Sequence, residues 1–374
     1  MQQQTEVEYG KITDEGLAKI LARVGQGFQN RRPWRTEVTR DGIYHLALAI
    51  GDLSPMYIDE EYAKKTRWGT LLAPPIMLNS MDTLRAVGSA GLPEGFPGVH
   101  SIWSGSLYEY EQPLKLGDVL TSKSYLHSVR EVESGFAGGR AVYQTYEAQY
   151  WNQKGEKIGL RQDTWIRNER NKTKKASKYG ETGLTKWKPE EIEDLYKQYD
   201  AEKRTTRRSW DEVKVGDELP PIIKGPLTPT SEIAFESFFG IYLVGNKVAV
   251  NLYRKHPKLM IPNEQGVPEP PQRVHWDNVF TQNLLGLPGA YDLGIERCAW
   301  MTQVATNWMG DDGMLRRIEV QYRKFNYLGD VTWSKGKVTD KTVENGRKLV
   351  HLEVWCENHR SEMTAKGRAI VELP

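Results

Sequence analysis

Residues 110–119, Tyr-Glu-Gln-Pro-Leu-Lys-Leu-Gly-Asp-Val, return 212 positions later as residues 322–331, Tyr-Arg-Lys-Phe-Asn-Tyr-Leu-Gly-Asp-Val. The two copies align without a gap, and Ser-Lys follows both, at 122–123 and 334–335. The Leu-Gly-Asp step is typical of a turn that joins two strands. Because further segments recur in the same order at a similar offset, the sequence indicates a duplicated structural unit.

Three other signals repeat in order around this turn. Tyr57-x-Asp59 matches His275-x-Asp277, the apolar segment 76–87 matches 295–309, and the alternating segment 141–166 matches 349–371. Apolar residues at helical spacing predict a long buried helix, and alternation between turns predicts antiparallel strands. The predicted class is α+β, in which each half is a long helix wrapped by a curved antiparallel sheet. The two sheets are expected to join edge to edge, which removes one exposed edge from each.

The length of 374 residues exceeds that of one ordinary domain. The repeat places an N-terminal half at residues 1–166 and a C-terminal half at residues 209–374. Between them, residues 167–208 are basic at both ends and carry a charged helical segment from Pro189. This composition predicts a solvated linker that contains one helix.

Composition narrows the function classes. The chain has 51 basic and 49 acidic residues, a balance that argues against a general nucleic-acid-binding protein. Its two cysteines, Cys298 and Cys356, are too few for a disulfide framework or a cysteine zinc site. No apolar run reaches the length of a membrane span. We therefore expect a cytoplasmic protein without membrane or nucleic-acid partners.

A titratable residue stands close to the start of the second predicted helix. The stretch Val274-His275-Trp276-Asp277 precedes a glycine-rich turn at 286–294, and the apolar segment follows at once. Histidine changes charge near neutral pH, and a helix N-terminus presents unpaired N–H groups. Together they can hold a carbonyl oxygen and move a proton beside it. The alternative interpretation is a surface loop with an incidental histidine.

These residues resemble a known family. Gly51-Asp52-x-Ser54-Pro55-x-Tyr57-x-Asp59, then Tyr62-Ala63 and Gly69-x-x-x-Ala73-Pro74-Pro75, are similar to the MaoC-like dehydratase pattern. That pattern runs Asp-x-Asn-Pro-x-His-x-Asp, then Tyr-Ala, then Ala-His-Gly. The stretch from His275 to Gly294 resembles the same pattern. The resemblance covers most of the chain and implies a double hot-dog fold, with a FAS1-like dehydratase N-terminal half. It also implies R-specific hydration of 2-enoyl thioesters of coenzyme A or a carrier protein.

Each copy departs from the family pattern, in which the first aspartate and the histidine form the catalytic pair. The N-terminal copy keeps Asp52 but has Tyr57 in place of the histidine. It also has Pro75 where the family has a glycine whose N–H faces the thioester carbonyl, and proline has no N–H. The C-terminal copy keeps His275 but has Pro270 at the aspartate position. We therefore expect the N-terminal half to be non-catalytic.

Five residues are candidate catalytic groups. His275 suits the base or water-holding role, and the Gly294 N–H suits the oxyanion donor. Asp292 either replaces the missing family aspartate or caps the following helix. Asp52 is either a relic or a contributor from the other half. Tyr57 is either a hydrogen-bond donor or a buried aromatic residue.

Other residues receive predicted roles outside the catalytic step. Trp276 and Arg297 are assigned to substrate binding, with solvated charge as the alternative for Arg297. Asp59 and Asp277 are expected to cap short helices. Cys298, one turn into the helix, is expected to be a small buried residue rather than a nucleophile.

The expected reaction is reversible addition of water to a 2-enoyl-CoA, which gives a 3-hydroxyacyl-CoA. Coenzyme A enters as part of the substrate, and neither a metal nor a further cofactor is expected. The incomplete N-terminal half leaves room for a bulky acyl group. Two alternatives stay open: a hot-dog acyl-CoA thioesterase, and a non-catalytic acyl-CoA-binding subunit of a hydratase complex. Because sheets of this kind often pair further, a homodimer is expected.

Overall fold

The structure is a computed structural model, and it describes residues 10–27, 33, 35–82, 96, 99–135, 138–169, 183–239, 245–255, 257 and 260–374. The described strands are β1 His100–Tyr110, β2 Thr121–Ser134, β3 Gly139–Trp151, β4 Lys157–Asn168, β5 Glu218–Lys224, β6 Ile261–Pro262, β7 Pro268–Glu269, β8 Met314–Tyr322, β9 Thr332–Glu344, β10 Arg347–Asn358 and β11 Met363–Glu372. The predicted strands of both halves are present, with ends that differ by a few residues.

The described α-helices are α1 Asp14–Leu21, α2 Arg40–Ile50, α3 Pro55–Ile58, α4 Glu60–Lys64, α5 Pro189–Asp200, α6 Pro229–Phe239, α7 Asn246–Lys255, α8 Asn278–Leu285 and α9 Gly294–Met309. Short 3₁₀-helices occupy Pro75–Ser80, Trp210–Glu212 and Pro271–His275. Within the described ranges, no helix combines the length and the apolar character needed to cross a membrane.

The two halves share one antiparallel sheet. In the described residues its order is β2-β3-β4-β1-β8-β11-β10-β9-β5, so β1 of the first half pairs with β8 of the second. The pairing runs from Gly105 opposite Gln321 to Glu109 opposite Arg317. A Cβ on Gly105 would lie 2.9 Å from the Val320 carbonyl oxygen, so only glycine allows this close approach. The predicted edge-to-edge junction is confirmed.

Helix α9 is the centre of the C-terminal half. It packs against β5, β8, β9, β10 and β11, and it also reaches β1 of the other half. Trp300, Met301, Val304 and Trp308 are buried in the main core. A helix that is apolar around most of its circumference must be enclosed on all sides. The predicted helix at 295–309 is confirmed.

The N-terminal half begins its corresponding segment differently. Residues 75–80 form a 3₁₀-helix instead of the first turns of the predicted α-helix at 76–87, whose residues 83–87 lie outside the described residues. The Met77 N–H donates to the Pro74 carbonyl at 2.9 Å, which is the tighter i→i+3 pattern. The Asp82 carboxylate then binds Arg161 of β4, with Nε to Oδ2 at 2.7 Å.

The repeated turn has the same geometry in both halves. The Lys115 N–H donates to Asp118 Oδ2 at 2.8 Å, and the Tyr327 N–H donates to Asp330 Oδ2 at 2.8 Å. The glycine before each aspartate has a positive φ, 87° in the first copy and 89° in the second. Two turns with one hydrogen-bond pattern at equivalent strand ends confirm the predicted duplication.

The helix predicted within the linker is present as α5, and most of residues 183–208 are exposed, but the segment also packs on the C-terminal half. Trp187 donates its indole N–H to the Gly329 carbonyl at 2.6 Å, and the Tyr199 hydroxyl donates to the Gly225 carbonyl at 2.6 Å. Leu195 of α5 is buried in one cluster with Ile223 and Val331. The segment looked solvated because its apolar residues are isolated among charges, yet they share one face of α5. Residues 170–182 lie outside the described residues.

Candidate active site

His275 ends the 3₁₀-helix that precedes α8. Its Nδ1 lies 2.7 Å from the backbone carbonyl oxygen of Tyr291, and the two rings meet edge to face with centroids 4.8 Å apart. A carbonyl oxygen can only accept, so Nδ1 carries the proton of this hydrogen bond. In the neutral ring the lone pair therefore lies on Nε2, the atom that can accept a proton from water.

Gly294 is the first residue of α9. The N–H groups of a helix's first turn have no carbonyl partner within the helix, so they point outward as donors. The ring of Tyr322 covers one side of this position, and a Cβ on Gly294 would lie 2.9 Å from its Cδ2. The Tyr322 hydroxyl donates to Ser106 Oγ of β1 at 3.1 Å, which fixes the ring to the other half. A glycine is therefore required here.

Asp292 is buried and fully engaged by protein groups. Its Oδ2 accepts from Asn326 Nδ2 at 2.9 Å and lies 2.9 Å from Arg297 Nε, while its Oδ1 accepts from the Asn326 N–H at 3.3 Å. Burial raises the pKa of Asp292 to about 6, although the Arg297 charge and the Asn326 bonds oppose this. The predicted cap is wrong, because Leu293 is the N-cap residue of α9. The predicted catalytic role does not fit a carboxylate with both oxygens held by neighbours.

Arg297 lies inside the protein, with 3% of its surface exposed. It donates to the carbonyl oxygens of Thr364, at 2.6 Å, and Lys324, and its guanidinium lies 5.2 Å from the Tyr322 ring centroid. These contacts leave it no face toward a coenzyme A phosphate. Both expectations for Arg297, a phosphate-binding residue and a solvated charge, are wrong because the residue pairs with Asp292 in the core.

Both predicted aspartate caps are confirmed. Asp59 accepts from the Tyr62 N–H at 3.0 Å at the start of α4, and Asp277 accepts from the Phe280 N–H at 2.9 Å at the start of α8. Trp276, between His275 and the cap, is half-buried, and its role in substrate binding stays a prediction.

Cys298 is buried in α9, as predicted. Burial raises the pKa of the Cys298 thiol to about 12, so the nucleophilic thiolate is absent near neutral pH. Among the residues that the structure describes, no three histidine, cysteine or carboxylate side chains are placed to hold a metal ion.

The N-terminal copy of the motif packs onto the C-terminal half. Asp52 is buried and accepts from the Ser54 N–H at 3.1 Å. Burial raises the pKa of Asp52, and the nearby charge of Lys224 opposes the rise. Lys224 also donates to the Ile50 and Gly51 carbonyls at 2.8 and 3.1 Å, so it caps the C-terminus of α2. These contacts indicate a structural role for Asp52.

Tyr57 is buried where the pattern has histidine. Its hydroxyl bonds Thr306 of α9, and burial followed by the Asp52 charge raises its pKa. The ring also lines a cavity of about 670 Å³ beside α2, together with His45, Leu48 and Leu71 among others. A volume of this order matches the pockets that hold small organic ligands.

Three buried glutamates were missed by the sequence reasoning. Glu232 and Glu236 on α6 expose none of their surface, and Glu296 in the first turn of α9 exposes 3%. The Glu232 carboxyl lies within hydrogen-bonding reach of Glu296. Burial raises the pKa of Glu296 to about 8 and that of Glu232 well above its ordinary value. One signal was available, since glutamates four residues apart stand on the buried stripe of an otherwise apolar helix.

Comparisons with known proteins show which family the chain is related to. The profile named "FAS1-like, dehydratase domain region" matches residues 22–161. A UPF0336 protein of Streptomyces avermitilis is 30% identical over 111 residues, which are 29% of this chain and 72% of the relative. A solved structure named "MaoC-like dehydratase" gives a TM-score of 0.65 at 17% identity and covers 94% of this chain and 99% of its own. The chain belongs to the family of this UPF0336 protein, and its residues 22–161 are a FAS1-like dehydratase region. The predicted double hot-dog fold is confirmed.

A further relative of the chain is named "Probable enoyl-CoA hydratase alpha subunit", from Thermomonospora curvata. It is 25% identical over 175 residues, which are 42% of this chain and 53% of the relative. In the MaoC-like pattern, the aspartate position of the C-terminal copy falls on Pro270. That proline is the N-cap of the 3₁₀-helix that ends at His275. Counted back from His275 along the sequence, the C-terminal copy thus has a proline at this position.

Proposed function

We propose that the chain catalyses the reversible addition of water to a 2-enoyl thioester of coenzyme A, at the N-terminus of α9. The observation that carries the proposal is the Nδ1 bond of His275 to the Tyr291 carbonyl at 2.7 Å. This bond fixes the tautomer whose Nε2 accepts a proton. It also ties the ring to Tyr291, which lies three residues before Gly294. A base and an oxyanion donor thus stand at one helix end.

The reaction follows from these two groups. His275 Nε2 takes a proton from water while the water oxygen bonds to C3 of the enoyl group. The negative charge moves to the thioester oxygen, where the Gly294 N–H stabilises it. A positioned base contributes about 10²- to 10⁴-fold in rate, and one oxyanion donor about 10²- to 10³-fold. A proton added at C2 then completes the 3-hydroxyacyl product.

The relatives support this reaction class. The matched region 22–161 is a dehydratase region by name, and the Thermomonospora curvata relative is named as a hydratase of enoyl-CoA. Hydration and dehydration are one reaction in two directions, so both names agree with the proposed chemistry.

The N-terminal half supplies space instead of chemistry in this proposal. Its cavity of about 670 Å³ is lined mostly by apolar groups and carries Tyr57 where the pattern has the base. His45 on its wall meets Phe238 of α6 edge to face, with centroids 6.1 Å apart, so the cavity borders the C-terminal half. Because Tyr57 bonds Thr306, twelve residues beyond Gly294, the cavity lies about 18 Å along α9 from the proposed oxyanion donor. A bulky acyl group therefore stays a prediction. A homodimer, a cytoplasmic location and coenzyme A as the carrier stay predictions.

A thioesterase would need an ionised carboxylate that activates water against the thioester carbonyl. The sequence candidate for that role was Asp292. Because Arg297 and Asn326 occupy both of its oxygens, the geometry favours hydration over thioester hydrolysis.

The test is a mass-resolved assay of the full chain with a panel of 2-enoyl-CoA and 3-hydroxyacyl-CoA thioesters. The wild type is expected to change substrate mass by one water, and His275→Ala is expected to lose about 10²- to 10⁴-fold in kcat. His127→Ala is the matched control, since this half-exposed histidine lies on β2 of the other half. It should keep wild-type turnover.

Three other outcomes contradict the proposal. Release of free coenzyme A without a change of one water would show a thioesterase. Full activity in His275→Ala would remove the site from the N-terminus of α9. Tight acyl-CoA binding without turnover would show a binding subunit.

A further inference from the structure

We propose that Glu232 and Glu296 share one proton and donate it to C2 of the thioester, so that this pair is the acid of the site. The inference rests on the proposed function and names a group that the family pattern does not contain.

The carboxyl groups of Glu232 and Glu296 lie close together. Glu232 lies in the first turns of α6, and Glu296 is the third residue of α9. Both side chains are buried, with 0% and 3% of their surface exposed, and they lie within hydrogen-bonding reach of each other.

The Glu232 carboxyl lacks a hydrogen-bond donor from other described residues. Neither carboxyl oxygen of Glu232 has a hydrogen-bond donor among the described residues. Two ionised carboxylates are both acceptors and cannot bond each other. A buried, unpaired carboxylate costs several kcal/mol, so the favourable state places one proton between Glu232 and Glu296. The proton makes one carboxyl a donor and satisfies the other.

The charges around the glutamate pair are mostly negative. Asp292 and Glu236 add negative charge, which raises the pKa of both carboxyls further. Lys224 is the nearby cation, but it is bonded to two carbonyls at the end of α2. The balance of these groups keeps the proton on the pair at neutral pH.

The glutamate pair lies at the N-terminus of α9. Glu296 Oε2 accepts from the Leu293 N–H at 3.2 Å, and Leu293 immediately precedes Gly294. Consecutive Cα atoms are about 3.8 Å apart, so the carboxyl and the oxyanion donor are neighbours. His275 is bonded to the carbonyl of Tyr291, two residues earlier still. Base, oxyanion donor and acid therefore meet along residues 291–296.

The proton balance closes with these groups alone. Water loses a proton to His275 Nε2 and forms the C3–O bond, and the C2=C3 electron pair moves toward the thioester oxygen. When this enolate collapses, C2 forms a bond to the proton held by the glutamate pair. The protonated His275 then returns its proton to the pair through water. The net change is the addition of one water, and dehydration runs through the same steps in reverse.

The test compares Glu232→Gln and Glu296→Gln with Glu236→Gln, the matched control one helical turn away on α6. Glutamine imitates the protonated acid in size and charge, so all three variants should fold. The first two are expected to lose at least about 10²-fold in kcat with little change in KM. They should also stop the exchange of the C2 proton with deuterium from solvent. The control should retain turnover.

A second measurement reads the proton directly. Infrared spectra of the wild type at neutral pH should show the carbonyl stretch of a buried protonated carboxyl, and Glu232→Gln should shift or remove that band. Because the wild-type band needs no variant, a Gln variant that failed to fold would leave this measurement intact.

The outcomes separate this inference from the proposed function. An active wild type with full activity in both Gln variants, but not in His275→Ala, would overturn the inference and keep the hydratase. Absence of the protonated-carboxyl band would also overturn it. A wild type without hydratase turnover would end the proposed function, and the acid role would fall with it.

Discussion

Helices α2 and α6 each precede one copy of the motif, and both start at a threonine cap. Thr39 Oγ1 accepts from the Gly42 N–H at 3.1 Å, and Thr228 Oγ1 accepts from the Ser231 N–H at 3.1 Å. With these caps aligned, the buried stripes of the two helices can be compared residue by residue.

The stripes differ in chemistry at two positions. Where α2 buries Ile43 and Ala47, α6 buries Glu232 and Glu236. A buried carboxyl destabilises a core that an isoleucine would stabilise, so packing alone does not explain the glutamates. Departures from local packing rules concentrate at functional sites. The comparison therefore supports the proposal that the acid of the site lies on α6 and α9.

The largest predicted effect is on buried ion pairs. Arg297→Met leaves Asp292 without its cation, and the free energy of unfolding should fall by about 3 to 5 kcal/mol. Arg161→Met removes the partner of Asp82 in the other half and should cost a similar amount. Urea unfolding measures both. Because Arg297→Met/Asp292→Asn removes the stranded charge, it should recover part of the loss; no recovery would contradict the pairing.

Placing a glutamate in the α2 stripe and an apolar residue in the α6 stripe should change the free energy of unfolding in opposite directions. Ile43→Glu buries an unpaired carboxyl in α2 and should lower the free energy of unfolding by about 3 kcal/mol or more. Glu232→Leu should leave stability unchanged or raise it by up to about 4 kcal/mol, while hydratase turnover falls. Thermal unfolding and the mass-resolved assay measure the two effects. Equal destabilisation by both variants would break the comparison.

The glutamate pair should make stability depend on pH. Because the folded-state pKa of Glu296 is raised from 4.5 to about 8, its contribution is complete below about pH 4.5 and is lost as pH rises through 8. Each proton contributes a slope of at most about 1.4 kcal/mol per pH unit. Asp292, raised to about 6, acts in the same direction.

Urea unfolding between pH 5 and about 9 should therefore show a smaller slope for Glu232→Gln than for the wild type. Ile43→Val, a conservative change at the matched position of α2, should keep the wild-type slope. Identical slopes in the wild type and Glu232→Gln would exclude a shared proton.

The smallest predicted effect lies in the N-terminal copy. Tyr57→Phe removes a hydrogen bond to Thr306 and should cost about 1 kcal/mol of stability. Turnover should stay within about twofold, because Tyr57 takes no part in the proposed chemistry. Steady-state kinetics of Tyr57→Phe beside His275→Ala measure this contrast. A loss comparable to that of His275→Ala would return the catalytic role to the N-terminal half.

The sequence predicted those features that depend on local patterns. The repeated turn, helix α9 and the antiparallel strands followed from spacing and turn chemistry, which act over a few residues. The aspartate caps at 59 and 277 were predicted for the same reason. Residues 75–80 form a 3₁₀-helix where the sequence predicted the start of an α-helix.

The sequence alone thus determined a duplicated α+β unit and the position of His275 shortly before the start of a helix. Only the tertiary structure decided the fate of the charged residues. Asp292 was joined to Arg297, and Glu232 was joined to Glu296 from a different helix. The physical reason is that a charge is accommodated by partners brought near in space, and burial in the assembled core decides whether that charge persists.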